Sequence, residues 1–265
     1  MNRETANAAS NQTAEKVMIV LEALARQNQP VKLIDLSREI KMNTSTLYRF
    51  LVALQNTGYV VQHEATGKYE LNLKLCHLSE LVKAHFSVAG ALHPYVAEAS
   101  SLFQESAHLA QADHQKIVYV DNVTVSSQSL MIRQYIGTTA PMHCTGIGKL
   151  FLSEYDGGML DRYIAEAGLP AFTEHTFSTR ASLLEELKFI RKCGYSYDNE
   201  ECEIGVRCIA VPIRGYTGKI VAGLSVSGPI TRITDKLIQS HLSALLDIAD
   251  RASAQLCYMH DGNKN

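Results

Sequence analysis

Apolar residues in this chain recur first at a helical period and later at a period of two. Val17, Val20, Leu21 and Leu24 fall at i, i+3, i+4 and i+7, which is one apolar helix face. Pro30 closes that helix. Leu33, Leu36 and Ile40 make a second, shorter face. "KMN" reads as a tight turn, with Asn43 or Thr44 available as an N-cap. A third helix runs through "TSTLYRFLVALQNTG", apolar at Leu47, Phe50, Leu51 and Leu54, with Gly58 suited to its C-terminal cap. "YVVQ" and "KYEL" then read as short strands joined by "HEATG". Three short helices with a tight turn before the third, followed by a hairpin, predict a winged helix-turn-helix.

The polar positions of the third helix carry the chemistry. Thr44, Ser45, Thr46, Tyr48 and Arg49 are left facing outward, with Asn43 just ahead of them. A recognition helix in a major groove uses its N-terminal residues in this way. Arg49 is suited either to a guanine edge or to a phosphate, and the hydroxyls to positioning the helix on the backbone. Lys68 and Tyr69, at the expected wing tip, would reach a neighbouring groove. Residues 31–75 hold six Lys/Arg against four Asp/Glu, a slight basic excess. The competing reading is a solvated helix start on a protein-binding module.

A helix is predicted from Leu73 to about Ala89, with Leu75, Leu78, Leu81 and Val82 along one side and Gly90 as its breaker. Its stripe is either a dimer contact or a face packed on its own domain. A second helix follows in "ALHPYVAEASSLFQE". Beyond it, "SAHLAQAD", "KIVYVDNV", "SLMIRQYI", "YSYDN", "CIAVPIRG" and "GKIVAGLSVSG" read as strands. "GKLFLSEYDGGMLDRYIAEAG", "ASLLEELKFIRKCG" and "TDKLIQSHLSALLDIADRASAQL" read as helical regions. Tight hairpins at "ADHQK" and "RGYTGK" imply antiparallel pairing. The expected class is α+β: a mainly α winged helix-turn-helix at 13–75, a linker helix at 76–90, and an α+β domain with an antiparallel sheet at 91–260.

Composition narrows the function. A length of 265 residues fits two domains of ordinary size. No apolar run approaches ~18 residues, so no membrane span is expected. The polar start "MNRETANAASNQTAEK" lacks a signal-peptide core and reads as a frayed tail. Six cysteines without a CxxC pair fit reduced thiols, and hence a cytoplasmic location. A net charge of −2 does not by itself advertise a nucleic-acid binder, so that reading rests on local arrangement.

"HCTGIGKL" invites a nucleotide-loop reading that its spacing refuses. His143 stands where the phosphate loop needs glycine, and Leu150 where it needs Ser or Thr. The dinucleotide fingerprint fails at Phe151. What remains is a glycine turn entering a helix whose free N–H groups could hold an anion. Lys149 is expected to point outward or to cap a neighbour.

The segment "GYSYDNEECEIGVRCIAVPI", 194–213, places Gly194, Asp198, Glu201 and Cys208 at the spacing of a known signature, with Ile209, Ala210 and Ile213 following. "PMHCTGIGKLFL" and "LSVSGPITRIT" fit the same pattern, while Arg214 and Gly215 depart from it at a hairpin tip. Through these motifs, the chain resembles the IclR-type transcriptional regulators over nearly all of residues 13–258. The resemblance implies a homodimer or dimer of dimers, a winged helix on a palindromic DNA operator, and a GAF-like domain holding a small-molecule effector, a carboxylate. It implies no enzyme activity and no cofactor. By motif position it assigns effector contacts to Gly146 and Ile147 through their backbone N–H groups, to Asp198 and Cys208, and to Ser225 and Ser227.

The residues themselves add something beside the resemblance. Ser225 and Ser227 alternate with Leu224 and Val226, so both face one side of a strand. They form a polar patch in a pocket, or they bond to neighbouring backbone. Asp198 either accepts a ligand hydroxyl or caps a turn. Met131 and Arg133 share a face of an expected strand, where Arg133 pairs with a carboxylate or is simply solvated. A metal site drawn from His143, Cys144, Asp198, Cys202 and Cys208 lacks paired ligand spacing. A thiol enzyme at Cys144 is disfavoured because adjacent strand residues point to opposite faces. The reading is a DNA-binding regulator of a catabolic operon, controlled by an organic acid; the alternative is control by a protein partner.

Overall fold

A computed structural model describes residues 11–85, 87–125 and 130–258. The chain divides after residue 86 into two compact units.

The first unit contains α1 (Gln12–Ala25), α2 (Leu33–Glu39), α3 (Thr44–Asn56), β1 (Val60–Gln62), β2 (Tyr69–Leu71) and α4 (Lys74–His85). Asn43 caps α3, its side-chain oxygen accepting the Ser45 N–H at 3.0 Å. At the other end Gly58 takes φ +77, its N–H reaching the Gln55 carbonyl and that of Tyr59 the Leu54 carbonyl. This is a Schellman closure, and its left-handed position favours glycine. Val20, Leu24, Leu36, Leu47, Leu51 and Val60 form the core between the helices and the hairpin.

Tyr69 belongs to that core, not to the wing tip. It is 3% exposed, and it exchanges backbone hydrogen bonds with Val31 at 2.8 and 2.9 Å. The ribbon has one inward face, and the period of two turns Tyr69 onto it while its neighbours face out.

The helix break also differs from expectation. α4 ends at His85, and α5 runs from Val88 to Phe103. Ser87 takes an extended conformation and its hydroxyl accepts the Gly90 N–H at 3.2 Å. The N-cap hydroxyl, not the glycine, starts the new helix, and Gly90 lies inside its first turn. Along α4, Leu75 is half-buried while Leu78 and Leu81 are exposed; the Val82 side chain lies outside the described residues.

The second unit is built on a sheet in the order β5-β4-β3-β8-β7-β6. Its strands are β3 (Ser106–Asp113), β4 (Lys116–Val123), β5 (Thr139–Pro141), β6 (Ser196–Asn199), β7 (Val206–Arg214) and β8 (Ile220–Pro229), with every pair antiparallel. One face packs on α5 and α9 (Asp235–Gln255) through Leu92, Phe103, Leu109, Leu224, Val226 and Leu245. The other carries α6 (Gly146–Ser153), α7 (Gly157–Ala167) and α8 (Arg180–Cys193) through Ile117, Ile147, Leu150, Leu183 and Ala210.

"SLMIRQYI" is not a strand over its described residues, 130–136. Pairing with β4 begins only at 137–141, where the Gly137 N–H meets the Tyr119 carbonyl and Thr139 stands opposite Val118. Tyr135 and Ile136 lie exposed and so contribute no buried side chains to hold a strand. Met131 and Arg133 therefore share no strand face, and Arg133 is exposed. Lys149 does not point outward or cap a neighbour. It is wholly buried and paired with Glu186 and Glu201, because the short helix α6 is buried along its whole length.

Candidate functional site

The first unit presents a polar surface at the start of α3. Asn43, Thr44, Ser45, Tyr48 and Arg49 are exposed, and Thr46 and Lys68 are half-exposed. No acid pairs with Arg49 among the described residues, so its guanidinium is not committed within the chain. Leu47 and Leu51 pin the opposite face of α3 into the core, which fixes the outward direction of Tyr48 and Arg49. Of the residues expected at this surface, Tyr69 alone is withdrawn from it.

The second unit contains a pocket of about 600 Å³, its open mouth included. Gly146, Ile147, Asp198, Cys208, Ser225 and Ser227 all line it. Strand register explains the convergence. Cys208 stands opposite Asp198 on β6 and opposite Ser227 on β8, and Ser225 stands opposite Ala210. Side chains two apart on a strand share a face, so these groups form a patch turned toward α6. Ser225 and Ser227 are buried, and neither hydroxyl has a backbone partner among the described residues. The Ser227 hydroxyl is within hydrogen-bonding reach of the Cys208 thiol.

The glycines of "TGIG" hold α6 against this patch. A Cβ on Gly148 would fall 2.3 Å from Met142 Cα, and one on Gly146 would fall 3.0 Å from the Ala210 Cβ. Gly146 lets the helix approach the sheet at Ala210, and Gly148 lets its first turn pack on Met142 in the segment just before it. Thr145 caps α6, its hydroxyl accepting the Gly148 N–H at 3.2 Å and donating to the Pro141 carbonyl at 2.8 Å. The N–H groups of Gly146 and Ile147 have no acceptor among the described residues, and both residues line the pocket. Two unpaired donors at the positive end of a helix dipole are suited to an anion.

Asp198 does cap a turn, its Oδ1 accepting the N–H groups of Glu201 at 2.9 Å and Cys202 at 3.3 Å. No described donor takes its Oδ2. Burial pushes the Asp198 carboxyl up to about 6, against the opposing pull of those N–H groups and of Lys149. Burial also holds the Cys208 thiol well above its ordinary value. Cys144 and Cys202 stand 3.7 Å apart at their sulfurs.

His143 is turned away from Cys144 and into a separate network. Its Nε2 lies 3.0 Å from the Pro170 carbonyl and its Nδ1 3.4 Å from the Tyr163 hydroxyl. It cannot activate the neighbouring thiol from there. Among the described residues, no three His, Cys, Asp or Glu side chains gather in a way that could hold a metal ion.

Cys202, weighed from the sequence only as a metal ligand, lines the pocket as well, and other lining residues were not singled out from the sequence: Tyr119, Gln134, Thr145 and Glu203. Beside the pocket, Ser106 and His108 occupy the same face of β3. Their signal was present in "SAHLAQAD", where both alternate with the core residues Ala107 and Leu109.

Comparison with known proteins agrees with this architecture. Residues 13–64 match the IclR helix-turn-helix domain, and residues 81–254 match the family described as bacterial transcriptional regulator IclR C-terminal. The HTH-type transcriptional regulator KdgR of Escherichia coli (strain K12) is 34% identical over 246 residues, covering 93% of this chain and 92% of that protein. The crystal structure of the Thermotoga maritima IclR aligns with a TM-score of 0.62 at 28% identity, over 93% of this chain and 99% of that one. The C-terminal domain of E. coli KdgR aligns with a TM-score of 0.58 at 32% identity, over 64% of this chain and 99% of that one. Two matched domains in the same order, spanning most of the sequence, place the chain in the IclR family of transcriptional regulators, DNA-binding proteins rather than enzymes.

Proposed function

We propose that this protein regulates a catabolic operon by binding a palindromic operator as a dimer, and that a small organic acid in the second unit sets its operator affinity. The observation that carries the effector half is the convergence of Gly146, Ile147, Asp198, Cys208, Ser225 and Ser227 on one pocket. In this reading the acid's carboxylate lies at the Gly146 and Ile147 N–H groups, where a helix N-terminus favours negative charge. The serine hydroxyls and Asp198 Oδ2 serve the rest of the ligand.

On DNA, Asn43, Thr44, Ser45 and Thr46 position α3 on the backbone, while Tyr48, Arg49 and the wing residue Lys68 complete the contact. Arg49 reads a base edge or grips a phosphate. The exposed Leu78 and Leu81 of α4 supply a dimer contact, and a two-fold pair of recognition helices matches a palindrome. The effector acts by binding one arrangement of the pair better than the other, and can shift operator affinity only by that difference.

The test is thermal unfolding of the full chain against small carboxylic, sugar and aromatic acids. Ligand bound to the native state raises the midpoint by mass action. One class of acid should do so, and should also change operator affinity. Ser225→Ala combined with Ser227→Ala should remove both responses and leave ligand-free operator binding intact. No shift across the panel would favour control by a protein partner.

A further inference from the structure

We infer that His108 is a ligand-contacting residue of this pocket, hydrogen-bonding an oxygen on the effector's chain, and that the effector is therefore a hydroxylated acid. The inference rests on the pocket being the effector site.

Position comes first. Ala107 and Leu109 point into the core with α5 and α9, so Ser106 and His108 point to the opposite, pocket-side face of β3. Opposite them on β8 stand Ser227 and Ser225. The His108 ring packs edge-on against Tyr119, with centroids 5.8 Å apart, and Tyr119 lines the pocket. The row His108–Ser225–Ala210 thus runs across three adjacent strands and ends under Gly146. Two strand spacings, roughly 10 Å, separate the two ends of the row.

Chemistry comes second. His108 is 1% exposed, and neither Nδ1 nor Nε2 has a hydrogen-bond partner among the described residues; the Ser106 hydroxyl is in the same state. Buried polar groups are ordinarily paired; His108 is not itself a lining residue, but it lies on β3 between the lining strands β4 and β8, against Tyr119, and its two idle nitrogens are a demand that a ligand reaching past that ring can meet. Burial pushes the imidazole down to about 4, so at neutral pH it is uncharged, with one donor and one acceptor. A ligand hydroxyl, itself donor and acceptor, is matched to that pair.

Among the described residues, the lining includes the acids Asp198 and Glu203 and no Lys or Arg. A second carboxylate on the ligand would meet like charge without a counter-ion, whereas hydroxyls can donate to Asp198 Oδ2. The carboxylate belongs at the α6 end and the hydroxyls along the row toward His108.

The experiment is calorimetric titration of the full-length protein with gluconate and lactate, each beside an unhydroxylated acid of matched length, hexanoate and propionate. Histidine-selective 15N spectra are recorded on the same samples. A hydroxylated acid should bind more tightly than its counterpart and move the His108 ring nitrogens. Its affinity should fall roughly tenfold in His108→Leu, the loss of about one hydrogen bond, and less in His108→Gln. The spectra of the unaltered protein carry the test if His108→Leu does not fold. Binding with silent His108 nitrogens would overturn the role of His108 alone. Preference for hexanoate or propionate would overturn the hydroxylated class. Binding of no acid at all would remove the pocket reading on which both rest.

Discussion

The Lys149 ammonium is wholly buried and stands 2.5 Å from the Glu201 carboxylate, with Glu186 completing the pair at 2.9 Å on its other side. Glu201 also sits three residues from the pocket carboxylate Asp198, whose Oδ1 holds its N–H. Burial pushes the Glu201 carboxyl upward and Lys149 opposes that push. Lys149→Met should therefore cost about 3–5 kcal/mol, since one buried charge loses its partner. Lys149→Met combined with Glu201→Gln should cost less than the single change. Urea unfolding measures both. A loss under about 1 kcal/mol would mean the pair behaves like a surface ion pair.

Two groups near the pocket make opposite contributions to stability as pH changes. Asp198 has its folded value raised to about 6, so the native state holds its proton more tightly; that contribution is present at low pH and lost as pH rises through about 6. His108 has its folded value lowered to about 4, so the unfolded chain holds the proton more tightly; that contribution is present above the ordinary histidine range and lost as pH falls toward about 4. Melting midpoints recorded across this window should rise more steeply with pH in Asp198→Asn than in the unaltered protein. They should rise less steeply in His108→Asn. Parallel curves for all three proteins would contradict both shifts.

Operator binding separates two residues that the sequence alone put on one surface. Arg49→Ala should weaken binding by ~1–3 kcal/mol if Arg49 reads a base edge. Tyr69→Phe should leave operator affinity unchanged, because the ring is in the core. Tyr69→Ala should instead destabilise the first unit by about 3–5 kcal/mol through lost packing. Fluorescence anisotropy on a labelled operator, beside urea unfolding, distinguishes the two kinds of loss. Unchanged affinity in Arg49→Ala would take Arg49 out of the interface.

The glycines of α6 should differ in tolerance. Gly146→Ala meets the movable methyl of Ala210 at 3.0 Å and should cost about 1–3 kcal/mol. Gly148→Ala meets Met142 backbone at 2.3 Å and should cost more, because backbone cannot step aside. Circular dichroism melts give the order. Equal losses would mean that the turn before α6 adjusts freely.

Where a single periodicity ruled, the sequence was readable. The α3 face of Leu47, Leu51 and Leu54 and the alternation of Ser225 and Ser227 with Leu224 and Val226 both lie in the structure as the pattern placed them. Reading failed where a competing local cause decided. Ser87 overrode Gly90 because a capping hydroxyl defines a helix start more strongly than a glycine defines an end. Lys149 was misread because the depth of α6 depends on the sheet beneath it and the acids across from it, far away in sequence. His108 and Ser106 carried the same alternation as the serines of β8, but their significance came only from cross-strand pairing.

Strand β8 has Leu224 and Val226 on one side and Ser225 and Ser227 on the other, so a single thickness of backbone separates the pocket from the layer formed by α5 and α9. The strand acts as a diaphragm. Any guest that draws the serines toward itself must shift the leucine and valine by the same motion, and a close-packed layer cannot absorb that without moving. The α5 helix in that layer begins at Val88, two residues past the end of the first unit. In the proposed reading, a signal leaving the pocket has little chain to cross before it reaches the first unit.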